Sequence, residues 1–79
     1  MATVRFFAAA ADVIGVPERT LEVSSVGQLR ELILSEYGLS AARVVTRCSV
    51  LVAGVRAEND DIAISAADTV DVLPPFAGG

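Results

Sequence analysis

Apolar and polar residues alternate from the first positions of the chain. Within residues 3–8, Val4 and Phe6 share one face while Thr3, Arg5 and Phe7 share the other, the period of two expected of a half-buried strand. The alternation gives way to an alanine-rich run, and Ala9–Ile14 predicts a short helical turn closed by Gly15 and Pro17. Residues 18–23 return as a second strand with Leu21 and Val23 facing inward, so the first two strands should pair antiparallel. Ser25 and Gln28 then have capping-box spacing: the serine hydroxyl can accept from the Gln28 backbone N–H while the glutamine side chain reaches back. Behind them Val26, Leu29, Leu32, Ile33 and Tyr37 fall near one face of a helix over Val26–Tyr37, with Gly38 placed to turn left-handed just past its end.

The second half reads more weakly. Residues 39–47 look like a loop with one helical turn. Residues 49–53 form a third strand, with Val50 and Val52 on one side and Leu51 on the other. Gly54-Val55 fits a two-residue hairpin turn that needs a positive φ at its first position, and a short strand around Arg56 returns from it. Ile62 and Ile64 mark another short apolar element. Thr69–Leu73 is the last strand, with Val70 and Val72 alternating with Asp71 and Leu73, and Pro74-Pro75 ends it because proline has no N–H to give a ladder. The elements predict one α+β domain over residues 1–73, a mixed sheet of about five strands with one main helix across one face, followed by a tail at 74–79.

Composition narrows the functions open to such a chain. At 79 residues there is room for one domain with a total stability of a few kcal/mol, ~0.05–0.15 per residue, and little room for a deep active site. Apolar residues make up 53%, enough for a packed core. No stretch approaches the ~20 apolar residues of a membrane helix, and no signal-peptide pattern is visible, so a cytoplasmic protein without membrane contact is expected. The net charge of −4, carried with six Arg, no Lys and no His, argues against nucleic acid as a ligand. Cys48 is the only cysteine, which excludes an intrachain disulfide and a cysteine-based zinc or iron–sulfur centre. With no His or Lys to lower its pKa, Cys48 reads as a small buried hydrophobe. Glu58, Asp60 and Asp61 read as a solvated acidic turn, so no metal site is expected.

The chemistry is concentrated in the last six residues, Pro-Pro-Phe-Ala-Gly-Gly. Pro74-Pro75 stiffens the exit, and six extended residues reach roughly 20 Å. Gly78 and Gly79 have no Cβ and can enter a channel too narrow for other residues. The carboxylate at the end is a poor electrophile, but ATP can convert it to an acyl-adenylate, from which a sulfur donor can leave a thiocarboxylate. A diglycine end is also what a frayed terminus looks like. The diproline, the aromatic Phe76 and the lack of polar residues set this one apart.

Three pieces of the chain resemble the ubiquitin-like sulfur carriers, and most closely the small subunit of molybdopterin synthase: Val4-Arg5-Phe6-Phe7-Ala8, the helix over Val26–Tyr37, and the run from Asp68 to the terminal Pro-Pro-Phe-Ala-Gly-Gly. The resemblance implies a β-grasp fold. It implies that Gly79 is adenylated by an E1-like adenylyltransferase using ATP, that a sulfurtransferase donor supplies the sulfur, and that no cofactor is bound by the chain itself. It further implies a molybdopterin synthase large subunit as partner, in a two-plus-two heterotetramer. The tail, Pro74, Pro75, Phe76 and Ala77 included, would enter that subunit and pass sulfur to a pterin precursor. The chain would then be the non-catalytic, sulfur-donating subunit of that enzyme. Family members often carry Arg-Glu where this chain has Ala11-Asp12, and Asp-Gly-Asp where it has Ala66-Ala67-Asp68.

Alternation supplies a docking face. If Val4, Phe6, Val70 and Val72 face the helix, Phe7 and Leu73 do not. The β-grasp topology pairs the first and last strands in parallel, which brings Phe7 and Leu73 to one end of the outer sheet face beside the tail, with Arg5 and Asp71 one step back and able to pair. The alternative for Phe7 is burial under the following helical segment. Other carriers, for thiazole or cysteine biosynthesis, share this chemistry. A ubiquitin-like modifier would use the same activated glycine to form isopeptide bonds, although a chain without Lys cannot polymerise through its own side chains. An interaction module with an inert tail is the remaining alternative.

Overall fold

The structure is a computed structural model that describes residues 1–75. The first strand, β1, spans Ala2–Phe6, with Ala2, Val4 and Phe6 buried and Arg5 exposed. It ends before residue 8 because Ala8 takes φ 51, a conformation that no strand residue adopts and that swings the chain into α1, Ala9–Ile14. Gly15, at φ 91, closes α1. β2, Glu18–Leu21, runs back antiparallel to β1 with Leu21 opposite Ala2. It stops two residues short of the alternating pattern because the next backbone groups turn to another segment. Ile64 N–H donates to Ser24 O (3.0 Å), Val26 N–H donates to Ile62 O (3.0 Å), and Ser25 and Ala63 form a β-bridge.

The long helix, α2, is Val26–Tyr37. Its cap differs from the expected box in one partner. Gln28 N–H donates to Ser25 Oγ (3.1 Å), but Gln28 Oε1 accepts from the backbone N–H and hydroxyl of Ser24 (2.8 and 2.9 Å) rather than reaching Ser25. Val26, Leu29 and Ile33 are buried, while Leu32 and Tyr37 are half-buried. Gly38 has the positive φ expected (89°), but its ψ of −178° is extended, not left-handed helical. The reason is that Gly38 serves two helices at once. Its N–H donates to Leu34 O, and its own carbonyl accepts from Ala42 N–H at the start of α3, Leu39–Thr46.

The eight-residue α3 replaces the loop expected over 39–47. Ala41 and Val45, one turn apart, are buried against the body. β3, Ser49–Val52, and β4, Val55–Arg56, follow, with Val52 opposite Val55. The two turn residues are therefore Ala53 and Gly54, not Gly54 and Val55. Both have positive φ, 50° and 83°, the pairing that matches the twist of a two-residue hairpin. The loop beyond β4 is tied to α2 by Arg30 Nε to Asp60 Oδ1 (2.9 Å) and by Gly27 N–H to Asp60 O (2.9 Å).

β5, Thr69–Leu73, takes the centre of a five-stranded sheet of order β2-β1-β5-β3-β4. It runs parallel to β1 and antiparallel to β3. Val4, Phe6, Val50, Val70 and Val72 face the helices and join Leu29 and Ile33 in a single core with no buried polar side chain among the described residues. The expected α+β sheet under one main helix is present, with α1 where the helical turn over Ala9–Ile14 was predicted and α3 added beside α2. No helix is long and apolar enough to cross a membrane among the described residues.

Leu29 is fully buried and Leu34, on the same helix, is 48% exposed. Leu29→Ala should cost about 2–5 kcal/mol of stability, whereas Leu34→Ala should stay within about 0.5 kcal/mol. Urea denaturation of the two variants checks both.

Candidate functional site

The face of the sheet opposite the helices is covered by no other element among the described residues, and strand register sorts its side chains into rows. Farthest from the tail, Thr20, Thr3 and Thr69 lie side by side. In the middle, Glu18, Arg5, Asp71, Leu51 and Arg56 cross the whole sheet. Nearest the tail, Leu73 stands opposite Ser49, and Phe7 follows the last β1 pairing of Phe6 with Val72. Phe7 N–H donates to Val72 O (3.1 Å), so its backbone continues the ladder for one residue before Ala8 turns away.

Phe7 is 37% exposed and Leu73 is half-buried. Phe7 is therefore on the outer face and not beneath α1. Arg5 holds it there. Its guanidinium forms a two-pronged contact with Asp71, Nε to Oδ1 at 2.6 Å and Nη2 to Oδ2 at 3.0 Å, and its Cζ lies 5.7 Å from the centre of the Phe7 ring. The hydrogen bond and charge of Asp71 raise the Arg5 pKa above its ordinary value, so the clamp keeps its charge at any physiological pH. The arrangement presents an apolar step, Phe7 with Leu73, in front of a fixed charged pair, at the end of the sheet from which the tail departs.

The opposite side of the tail root was not foreseen, because it depends on α3. Ala9, Arg43, Val44, Arg47, Pro74 and Pro75 line a groove of about 410 Å³. Arg43 and Arg47 are exposed and one helical turn apart. Their spacing was visible in the sequence, but nothing local indicated that it faced the diproline. Phe76, Ala77, Gly78 and Gly79 lie outside the described residues.

The remaining candidates are structural. Cys48 is buried beneath α3, and its thiol donates to Val44 O (3.2 Å). Burial raises its pKa, against a smaller opposing influence of Arg30. No group of three or more His, Cys, Asp or Glu side chains could hold a metal among the described residues. Arg19 joins β2 to the end of α2 by bonds to Glu36 Oε1 (2.9 Å) and to the Tyr37 hydroxyl (2.7 Å).

A mixed five-stranded sheet with a parallel first and last strand, crossed by one long helix, defines a ubiquitin-like β-grasp protein. The model of the ThiS family matches residues 4–79, and the chain belongs to that family. Solved structures share the fold. Small archaeal modifier protein 1 from Methanosarcina acetivorans is 20% identical with a TM-score of 0.82, over 99% of this chain and 95% of that one. The complex of subunits 1 and 2 of the molybdopterin-converting factor from Helicobacter pylori 26695 matches at 22% identity and a TM-score of 0.73, over 99% and 97%. The BexX/CysO complex of Amycolatopsis orientalis matches at 19% and 0.80, over the full length of both chains. A search of the curated proteins gave no match.

The raised pKa and the burial of Cys48 predict slow alkylation. Iodoacetamide at pH 8 should modify the native protein at least about tenfold more slowly than the urea-unfolded chain. Because the thiol ionises later in the folded state, stability should also fall as pH rises from the ordinary thiol range towards the folded value. Mass spectrometry and alkaline urea titrations measure these two effects.

Proposed function

We propose that this chain is a sulfur carrier of molybdenum cofactor biosynthesis, the small subunit of a molybdopterin synthase. In this reading the carboxylate of Gly79 attacks ATP on an E1-like adenylyltransferase and pyrophosphate leaves; the terminal sulfur of a persulfide on a sulfurtransferase donor then displaces AMP to form an acyl disulfide, and a thiol cleaves its S–S bond to leave the thiocarboxylate and a new disulfide. The tail then enters a large subunit, where the sulfur passes to a pterin precursor. The observation that carries the reading is the family match, which runs through the tail to residue 79. Gly78 and Gly79 supply a reacting end without side chains, Phe76 anchors the tail inside the partner's channel with Ala77 beside it, and Pro74 and Pro75 stiffen its root.

The body's task is presentation. Phe7 and Leu73 form an apolar step beside the tail, as a partner seated over the tail root requires. The likeness in fold to the small subunit in the Helicobacter complex supports the choice of partner. A protein-modifier role would use the same activated Gly79, and the likeness to small archaeal modifier protein 1 favours it as the second reading. Incubation with an activating enzyme, ATP and a sulfur donor separates the two. Exchange of one terminal oxygen for sulfur, seen in the intact mass, supports the carrier. Conjugates to other proteins support the modifier, and an unchanged mass with every activating enzyme rejects both.

Deleting Gly79 should abolish activation while leaving the circular dichroism spectrum and urea midpoint unchanged. Phe7→Asp and Leu73→Asp should each weaken large-subunit binding by about tenfold or more in calorimetry. Unaltered binding of both variants would move the docking surface elsewhere.

A further inference from the structure

We propose that the corner between α2 and α3 is a docking groove for an acidic amphipathic helix of a partner protein, separate from the Phe7 step. The inference concerns the folded body and does not depend on the chemistry of the tail.

The groove follows from the joint at Gly38. Gly38 connects the two helices, and Arg30, in the second turn of α2, donates through Nη1 to Val45 O near the end of α3 (3.3 Å). The shorter helix therefore runs back along the longer one. Leu34, Leu39, Ala42, Arg43, Thr46 and Arg47 line a groove of about 430 Å³ on this seam. Leu34 is 48% exposed and Leu39 57% exposed. The other exposed large apolar side chains among the described residues, Met1, Phe7, Val16 and Val55, are all outside the helices. Two exposed leucines in one concave site form an apolar anchor that nothing covers among the described residues.

Charge selects the occupant. Arg43 and Arg47 follow Leu39 at one and two turns along α3, a row of about 12 Å. No Asp or Glu lines the groove among the described residues. The exposed acids of α2, Glu31 and Glu36, are outside its lining, and Glu36 is held by Arg19. What fits is a helix with a bulky apolar residue set between Leu34 and Leu39, and carboxylates one and two turns further on against Arg43 and Arg47.

A second copy of the chain fits poorly. A stable dimer uses about 20–30 residues a side, and the six lining residues fall far short of that. Two grooves placed face to face would also set arginine against arginine. The groove is on the helical side of the sheet and the Phe7 step is on the outer side, so partners can occupy both together.

The test titrates a capped, alanine-based helical peptide into the ¹⁵N-labelled protein. The peptide carries one leucine with glutamates one and two turns beyond it, and its control has glutamine in place of each glutamate. The amides of Leu34, Leu39, Ala42, Arg43 and Arg47 should shift, while those of Arg5, Phe7 and Leu73 stay still. The Kd should rise about tenfold in R43Q/R47Q, which removes two exposed charge pairs. It should rise about fivefold in Leu34→Gln or Leu39→Gln, which forfeits about half the burial of one leucine. Glutamine is a good helix former and all four positions are exposed, so circular dichroism should show the fold kept. The glutamine control should bind about tenfold more weakly than the acidic peptide. Absence of binding at millimolar peptide, equal binding of the two peptides, shifts centred on the Phe7 step, or an unchanged Kd in R43Q/R47Q overturns the proposal. So do shifts at these amides that grow with protein concentration in the absence of peptide, because the occupant is then a second copy. Sulfur loading of Gly79 is measured separately and calls on none of these residues, so failure here is distinct from failure of the carrier function.

Discussion

The parallel pairing of β1 with β5 is the constraint on which the rest of the molecule depends. It makes the last strand the central one, bonded to β1 on one side and β3 on the other, with Val70 and Val72 fully buried beneath the helices. A segment held in this way anchors the root of the tail, Pro74 and Pro75, to the core of the sheet. The pairing joins residues 3–6 to residues 69–72, so the sheet closes only when nearly the whole chain has been gathered. The tail root is thus a product of the completed fold. A partner that recognises Leu73 together with Phe7 recognises a folded body, because no shorter piece of the chain brings the two together.

The same pairing explains the division of labour between the two faces of the sheet. The helical side holds the entire apolar core, and its residues are replaceable only at a cost in stability. The outer side grades from threonines through a charged row to Phe7 and Leu73. This grading leaves a face that no other element covers among the described residues polar along most of its length, with its apolar part small and at one end. The Arg5–Asp71 pair is at the boundary. An exposed ion pair adds little stability, but this one is two-pronged and also carries the Phe7 ring, so its value is in orientation. Arg5 is fastened to the central strand and Phe7 is fastened to Arg5.

Much of this was legible in the sequence, and the misses have physical causes. Val4/Phe6 against Arg5/Phe7, and Val70/Val72 against Asp71/Leu73, alternate without interruption, so the faces followed from the period alone once the parallel topology was supplied by the family resemblance. The helix α3 was obscured because it is short, begins at a glycine and ends in the β-branched run Val44-Val45-Thr46, where propensity favours a strand or loop. Its signal was the spacing of Ala41, Val45 and Cys48, all buried. The hairpin turn was placed one residue late because alanine is not the residue expected at positive φ, and Ala53 holds that conformation through the closing pair Val52–Val55. Ala8 ended β1 early for the same reason. The Arg43–Arg47 groove could not be read from a local pattern, since it exists only where α3 packs beside the diproline.

Alternation does not stop where the last strand stops. Val72 points to the helices, Leu73 to the outer face, and Pro74 back to the helical side against α3. The tail root therefore separates two surfaces of different chemistry, an apolar step backed by a compensated ion pair on one side and, on the other, two guanidinium groups that make no ion pair among the described residues. A partner seated on the Phe7 step approaches from the side opposite the groove and need not touch Arg43 or Arg47 to hold the body. Recognition of the body and capture of the tail are then separable steps. The body contact, an apolar step whose aromatic ring is held by Arg5, brings the partner to the tail root.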